Sequence, residues 1–222
     1  MAHRKRQNEE MHVDHIIFAS GPQGIRADVA RLAERLGSDF REGGFHPSFG
    51  TRNYIMPLAR ARYLEVVEVL DHPAAEKAPF GQAVRARSEM GGGWLGWAVS
   101  VDDISPFEKR LERSASPGSR QSPDGRHIEW RQLGMKGLMA DPQLPFFLQW
   151  ISEVSLRPTA MASDLHLTEV QISGSADRLS EWLGVHVTDR LDGVRLHLIA
   201  PNGHPGITQV TFESPTKGTV VI

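Results

Sequence analysis

A histidine and a glutamate, His15 and Glu65, are the residues of this sequence best suited to chemistry at one site. Each lies within a strand-like run, in the stretches MHVDHIIFA and RYLEVVEV. Imidazole nitrogens and carboxylate oxygens are good ligands for Zn, Fe, Mn or Ni. A set of two histidines and one carboxylate with open positions suits a catalytic divalent metal. His15 and Glu65 are therefore the predicted catalytic residues and the predicted metal ligands.

Glu65 could also act without a metal. A carboxylate in a mostly apolar cavity has a raised pKa and can serve as a general base. The structural alternatives are a hydrogen-bonded core histidine at His15 and an exposed or arginine-paired glutamate at Glu65. Glu68 points to the opposite face of the same strand, so the two carboxylates should not share a role.

A glycine-rich loop, residues 43–53, leads into the strands that contain these carboxylates. It lacks the Lys-Ser/Thr pair and the following helix of a phosphate-binding loop. His46 and Asn53 are predicted to bind oxygen atoms of a substrate. The alternative is that both side chains only satisfy the backbone of a turn and a hairpin.

Four tryptophans cluster in the middle of the chain, and they are Trp94, Trp97, Trp130 and Trp150. Aromatic walls with a few polar groups are typical of a small-molecule pocket. Such clusters are more often part of a hydrophobic core. Trp97 is the member of this group that we predict to contact a substrate.

The element that must position His15 is the first strand. Alternation of side chains places His15 on one strand face with Val13 and Ile17. A helix that ends at Gly37 and about three further strands follow. Together they form a predicted module over residues 11–71.

The same order of strand, helix and strands occurs three times. Helix starts recur near residues 25, 105 and 175. The second module spans residues 94–153, a third, partial module spans 154–222, and the Pro- and Gly-rich segment 72–93 is a connector or lid. A unit of this size cannot bury its sheet alone, so modules should pair, either within one chain or between the chains of a homodimer. Several strands after each helix predict an α+β fold with mixed sheets.

The second module does not repeat the metal ligands. Gly96 or Trp97 stands in its first strand where a second histidine would be needed, and Gln149 stands in its last strand. A neutral amide oxygen is a poor third metal ligand. Gln149 is therefore predicted to contact the substrate, and a protein without any cofactor is the alternative to a metalloprotein.

The composition excludes several classes of function. The 222 residues carry a net charge of −2 with a pI near 6.6, which gives no electrostatic footprint for nucleic acid. There is no cysteine, and no apolar run approaches the length of a membrane span. Residues 1–10 are polar and predict a disordered tail rather than a secretory signal. A cytoplasmic protein with a small-molecule ligand is expected.

Five segments make the chain resemble the glyoxalase-like domain family of the vicinal oxygen chelate superfamily, which includes glyoxalases, bleomycin resistance proteins and extradiol dioxygenases. They are DHIIFA at 14–19, GGFHPSFGTRNYIMPL at 43–58, RYLEVVEVLD at 62–71, WAVSVDDI at 97–104 and LPFFLQWI at 144–151. The resemblance covers residues 11–215. It implies paired βαβββ modules whose cupped sheets enclose a site, with metal ligands on first and last strands, here His15 and Glu65. Gln149 takes the place that matches Glu65 in the second module.

The resemblance and the residues together predict a protein that binds a small organic molecule in a sheet-lined cavity. It would be a lyase, isomerase or dioxygenase that uses His15 and Glu65 with or without a divalent metal. The alternative is a non-catalytic binding protein of the drug-sequestration type. The absent second histidine departs from the pattern of glyoxalases and extradiol dioxygenases, and it favours reactions without a metal.

Overall fold

The computed structural model describes residues 11–200 and 203–222. Residues 1–10, for which the sequence predicts a disordered tail, lie outside the described residues. The helices of the described chain are α1 Ile25–Leu36, α2 Pro73–Lys77, α3 Pro79–Glu89, α4 Ser105–Leu111, α5 Gly137–Ala140 and α6 Ala176–Leu183. Its strands are β1 Met11–Ala19, β2 Arg41–His46, β3 Thr51–Leu58, β4 Arg62–Val69, β5 Gly93–Val101, β6 Ser116–Gln121, β7 His127–Leu133, β8 Phe146–Trp150, β9 His166–Ser173, β10 Arg190–Leu191, β11 Val194–Ile199, β12 Gly206–Ser214 and β13 Gly218–Val221.

Eight strands close into a barrel in the order β1-β4-β3-β2-β6-β7-β8-β5. β1 pairs in parallel with β4 and antiparallel with β5, and β5 in turn pairs in parallel with β8. The first module, β1–β4 with α1, and the second, β5–β8 with α4, therefore share one barrel within a single chain. The predicted α+β fold with repeated βαβββ modules and cupped mixed sheets is confirmed.

The third module forms a separate sheet in the order β10-β11-β9-β12-β13. β9 pairs in parallel with β11 and antiparallel with β12, as β1 does with β4 and β5. Ser175, a residue type that is favoured at helix N-caps, caps α6, because its hydroxyl accepts a hydrogen bond from the Arg178 backbone N–H. The apolar face of this sheet packs on the outside of the barrel, in one core with α1 and α6.

A second, smaller core lies inside the barrel. Ile17 and Val67 of the first module meet Phe146 and Leu148 of the second. Phe80 of α3 covers them, so the segment predicted as a connector or lid contains a helix that packs against the barrel. This inner core surrounds the candidate site described below. No helix among the described residues is long and apolar enough to cross a membrane.

A β-bulge at Asp14 changes which residues of β1 share a face. The pairing of β1 with β5 shifts between Val13 and His15. His15 and Ile17 face the barrel interior, whereas Val13 packs in the outer core with Ile16. The expectation that Val13 and His15 share a face was wrong, because a bulge inserts one residue and resets the alternation.

Asp192 fastens the third module to the barrel. It lies in the tight hairpin at Asp192-Gly193, a residue pair that favours such turns, with φ of 49° at Asp192 and 79° at Gly193. Arg62, which is buried, donates to Asp192 Oδ2 at 2.7 Å and to the Val13 carbonyl at 3.2 Å. His12 Nδ1 also lies 2.5 Å from Asp192 Oδ2. Removing Asp192 would leave the buried charge of Arg62 uncompensated.

Some elements differ from those predicted. Residues 114–125 are rich in Ser, Pro and Gly and predict a loop, but they contain β6. Residues 185–188 contain two valines that predict a strand, but they are irregular. Ser105 and Glu108 have the spacing of a capping box. The Glu108 carboxylate instead accepts from the Ala115 N–H and from Arg131, while Asp103 accepts from the Ser105 N–H. The sequence did not predict β6 because its inward-facing residues, Gly118 and Arg120, are not both apolar.

Candidate functional site

A cavity lies inside the barrel between the two modules. Its polar lining consists of His15, His46, Asn53, Tyr63, Glu65, Arg120 and Gln132, and its apolar lining consists of Phe49, Phe80, Trp130, Met135, Phe146, Leu148, Trp150 and Pro158. The empty space, mouth included, is about 430 Å³. Side chains fill most of this space and leave room for about two water molecules. The site as described suits a ligand of a few non-hydrogen atoms.

Glu65 presents one free oxygen to this cavity. β4 directs Glu65 and Tyr63 inward because they are two residues apart. Asn53 Nδ2 donates a hydrogen bond of 2.6 Å to Glu65 Oε1. Glu65 Oε2 accepts no hydrogen bond from the described residues and lies 3.8 Å from His15 Nε2. The carboxylate is thus held by one oxygen and available for chemistry at the other.

His15 is oriented by Asp14, which the bulge places beside it. His15 Nδ1 lies 2.7 Å from Asp14 Oδ1, and Trp150 Nε1 donates to Asp14 Oδ2 at 2.9 Å. Because an ionised carboxylate only accepts hydrogen bonds, the hydrogen of neutral His15 belongs on Nδ1. Nε2 then faces Glu65, and the ring is fixed further by stacking on Tyr63 at a centroid distance of 4.4 Å.

His46 is a neutral part of the cavity wall. Its Nδ1 lies 2.9 Å from Thr51 Oγ1, and its Nε2 lies 4.0 Å from Glu65 Oε1. Burial lowers the pKa of His46 to about 3, with smaller contributions from the charges of Arg120 and His15. His46 therefore stays uncharged at neutral pH, where it can offer a hydrogen bond but not a positive charge.

Three polar residues of the cavity, Tyr63, Arg120 and Gln132, were not predicted from the sequence. Burial raises the pKa of Tyr63, and the negative charges of Asp14 and Glu65 add to that shift, so its hydroxyl remains a hydrogen-bond donor. Arg120 of β6 reaches the cavity from the second module and is only 6% exposed. Tyr63 could have been found from its spacing to Glu65, whereas Arg120 lay in a segment that reads as loop.

Trp97 and Gln149, predicted to contact the substrate, do not line the cavity. Trp97 is fully buried in the outer core, where its Nε1 donates to the Gln143 carbonyl at 3.1 Å. The Gln149 amide bonds to the backbone of Asp102 and Ile104. Both side chains point away from the barrel interior because strand alternation directs their immediate neighbours inward.

The register of the barrel shows which residues of the second module match the first. His15 pairs with Tyr63 across the parallel strands β1 and β4, and Ala98 pairs with Phe146 across β5 and β8. Tyr63 and Phe146 both line the cavity. Counting from these pairs, Ala98 stands where the first module has His15, and Leu148 stands where it has Glu65. The match of Gln149 to Glu65 was therefore wrong by one residue.

These donors do not fit a catalytic metal. The structure brings His15 and Glu65 together, but Ala98 and Leu148 cannot supply further ligands. In the part of the chain that the structure describes, no three His, Cys, Asp or Glu residues are placed to hold an ion. Arg120 would also repel a divalent cation in this cavity.

The chain matches one family model and is similar in fold to solved structures. A family model described as a glyoxalase-like domain matches residues 13–188, which is more than half of the chain. The crystal structure of a hypothetical protein from Staphylococcus aureus is similar with a TM-score of 0.62 and 16% identity, over 87% of this chain and 87% of that chain. At such identity the likeness concerns the fold alone.

Two methylmalonyl-CoA epimerases are more distant. The Mycobacterium tuberculosis protein has a TM-score of 0.41 and 15% identity, over 63% of this chain and 86% of its own. A Streptomyces coelicolor variant in complex with 2-nitronate-propionyl-CoA has a TM-score of 0.44 and 14% identity, over 64% of this chain and 98% of its own. None of the curated proteins compared matches the chain.

Proposed function

The chain belongs to the glyoxalase-like domain family of the vicinal oxygen chelate superfamily, and from this premise we propose an enzyme that moves a proton on a small organic molecule. Glu65 is its general base, and the reaction is an isomerisation or an elimination. The observation that carries the proposal is the free Oε2 of Glu65, which faces an enclosed cavity while Asn53 holds Oε1. A carboxylate positioned in this way can remove a proton from a bound substrate.

The neighbouring donors suit a carbon acid next to a carbonyl group. Glu65 Oε2 takes the proton from carbon, and the electron pair of the C–H bond moves to the carbonyl oxygen to give an enolate. Tyr63 keeps its hydroxyl hydrogen and lines the same cavity, so it can donate to that developing oxyanion. Return of the proton at another position completes an isomerisation, and departure of a leaving group completes an elimination.

His15 supplies the second proton-carrying group. Its Nε2 lies 3.8 Å from Glu65 Oε2, which is close enough for a substrate atom to contact both. Asp14 holds the other ring nitrogen and stabilises the imidazolium form when His15 takes up a proton. His15 can therefore accept or return a proton while Glu65 holds the one taken from carbon.

The proposed step uses no metal. A divalent ion on His15 and Glu65 would have two protein ligands and would lie in a cavity that already contains Arg120. The proposal therefore favours isomerase or lyase chemistry over the dioxygenase alternative, because a dioxygenase needs a redox-active metal with a fuller ligand set.

Non-catalytic binding is the second candidate, and the aromatic wall of Phe49, Phe80, Trp130 and Trp150 supports it. Side chains leave room in this cavity for only about two water molecules, which weighs against a drug-sized ligand. A sequestration protein would return its ligand unaltered.

Solvent-deuterium exchange tests the proposal directly. Purified protein would be incubated in D₂O with a panel of two- to four-carbon carbonyl compounds, and deuterium uptake would be measured by mass spectrometry before and after treatment with a chelator. We expect catalysed exchange that the chelator leaves unchanged. Loss of exchange with the chelator and recovery with added metal would contradict the metal-free mechanism. Saturable binding without exchange or conversion would support sequestration instead.

A further inference from the structure

Arg120 is a buried cation without a hydrogen-bonded counterion. It is 6% exposed, and its Nε and Nη1 have no hydrogen-bond partner among the residues that the structure describes. Glu65 acts on it through space without a hydrogen bond. A buried charge that lacks a bonded partner is strongly destabilising, and buried polar atoms without partners are rare in folded proteins. The position of this charge at a cavity wall needs an explanation beyond stability.

Asn53 lies near both Glu65 and Arg120. Its Nδ2 donates to Glu65 Oε1. A carboxylate has no hydrogen to donate, so the amide nitrogen rather than the amide oxygen must face Glu65. If Gly43 carried a Cβ, that atom would lie 2.1 Å from Asn53 Oδ1 and 2.7 Å from Arg120 Nη1. Both atoms therefore border the same glycine. Neither atom has a hydrogen-bond partner among the described residues. Even a hydrogen bond between them would leave the positive charge of Arg120 without a counterion, because the amide is neutral.

We propose that Arg120 binds a carboxylate group of the substrate, so that the substrate is a short carboxylic acid. The inference rests on the proposed function: Arg120 would hold the anionic end while Glu65 removes a proton from a neighbouring carbon. A guanidinium matches the planar geometry of a carboxylate and forms strong charge-assisted hydrogen bonds with it. The small cavity restricts the acid to a few non-hydrogen atoms.

Binding of matched acids and amides tests this assignment. The probes are pyruvate and acetate, with pyruvamide and acetamide as neutral partners of similar shape, and affinities would be measured by calorimetry. We expect the wild-type protein to prefer each acid over its amide by at least about 10-fold. The preference should disappear in Arg120→Met and return in part in Arg120→Lys. Equal binding of acid and amide, no saturable binding of either acid, or a preference that survives in Arg120→Met would each overturn the proposal.

One further variant and one further measurement separate this inference from a failure of the proton-transfer mechanism and from a structural role of Arg120. Glu65→Gln should keep the preference for the acids, so failure of the proton-transfer mechanism would not by itself remove the anion site.

Thermal unfolding without ligand tests the function of Arg120 separately. If Arg120 is kept for a ligand, Arg120→Met should raise the melting temperature by a few degrees, because it removes an uncompensated buried charge. A melting temperature lowered by a similar amount would show a structural role and would contradict the proposal.

Discussion

His15 Nε2 and Glu65 Oε2 lie 3.8 Å apart across the parallel strands β1 and β4. The other side of each group is already occupied: Asp14 holds His15 Nδ1, and Asn53 holds Glu65 Oε1. The free nitrogen and the free oxygen therefore face the same small space. This relationship favours a pair of proton-carrying groups over two independent core residues.

Asp14 should control the proton position on His15. In the wild-type protein Asp14 Oδ1 accepts from His15 Nδ1, and Asp14 Oδ2 accepts from Trp150. Asp14→Asn keeps the shape but removes the negative charge, so the hydrogen of neutral His15 would no longer be confined to Nδ1. We expect catalysis to fall by at least about 10-fold, with little change in substrate affinity. Nitrogen NMR of His15 would report the tautomer, and an unchanged tautomer with unchanged activity would contradict this role.

The register of the barrel predicts where a metal site could be built. Ala98 and Leu148 face inward at the places that match His15 and Glu65, whereas Gln149 bonds to the backbone outside the cavity. The double variant Ala98→His/Leu148→Glu should therefore gain stoichiometric binding of Zn²⁺ or Ni²⁺, because it completes a set of four ligands. Gln149→Glu is the matched control and should gain none. Metal binding by the control alone would show that the register was misassigned.

The contact between Asp192 and Arg62 should stabilise the third module in a pH-dependent way. Burial alone would raise the pKa of Asp192, but hydrogen bonds from His12 and Arg62 lower it to about 2. Its contribution is thus present above the ordinary Asp pKa of about 4 and is lost as pH falls through about 2. Urea unfolding should show Asp192→Asn to be less stable by roughly 3 kcal/mol at pH 5.

His12 adds the opposite pH dependence to the same contact. Burial alone would lower the pKa of His12, but the hydrogen bond and the charge of Asp192 raise it. The cost of Asp192→Asn should therefore shrink as pH rises from below about 6.5 through the raised pKa of His12. Glu181→Gln, which removes an exposed pair with Arg178, is the control and should cost little at any pH. Equal effects of the two substitutions at pH 5 would contradict the proposed anchoring role.

His46 should make the protein less stable in acid. Its folded-state pKa of about 3 lies below the ordinary value of about 6.5, so the unfolded chain binds a proton that the folded chain excludes. The free energy of unfolding should fall as pH drops from about 6.5 to about 3, by up to about 1.4 kcal/mol per pH unit from this residue. Urea unfolding of His46→Gln should show a correspondingly shallower slope. Parallel slopes for the two proteins would mean that His46 is already protonated or is exposed.

Local patterns predicted most elements of the fold. The bounds of β1, α1 and β4 follow from apolar periodicity, and α1 ends at Gly37, whose φ of 65° suits glycine. β6 has no such periodicity, since Gly118 accommodates the Trp130 ring and Arg120 points inward. Its place in the barrel depends on pairing with β7 and β2 rather than on its own sequence.

Apart from Tyr63, the polar residues that the first module contributes to the candidate site were predictable from the sequence. His15, His46, Asn53 and Glu65 all line the cavity, and all come from the first module. Arg120 reaches them only through barrel closure, which no local pattern in the sequence reports. The bulge that brings Asp14 beside His15 was likewise not readable from alternation. Trp97 and Gln149 were misplaced because one residue of register decides which strand face is buried.

The exchange rate of Glu65→Gln tests the central claim most directly. Deuterium uptake would be measured for metal-stripped wild-type protein, Glu65→Gln and Glu68→Gln, with the best substrate of the panel. Glu68 is the matched control, because it lies outside the cavity on the other face of β4, where it pairs with Arg52. We expect Glu65→Gln to slow exchange by at least about 100-fold and Glu68→Gln to leave the rate nearly unchanged. Exchange at the wild-type rate in Glu65→Gln would contradict the account.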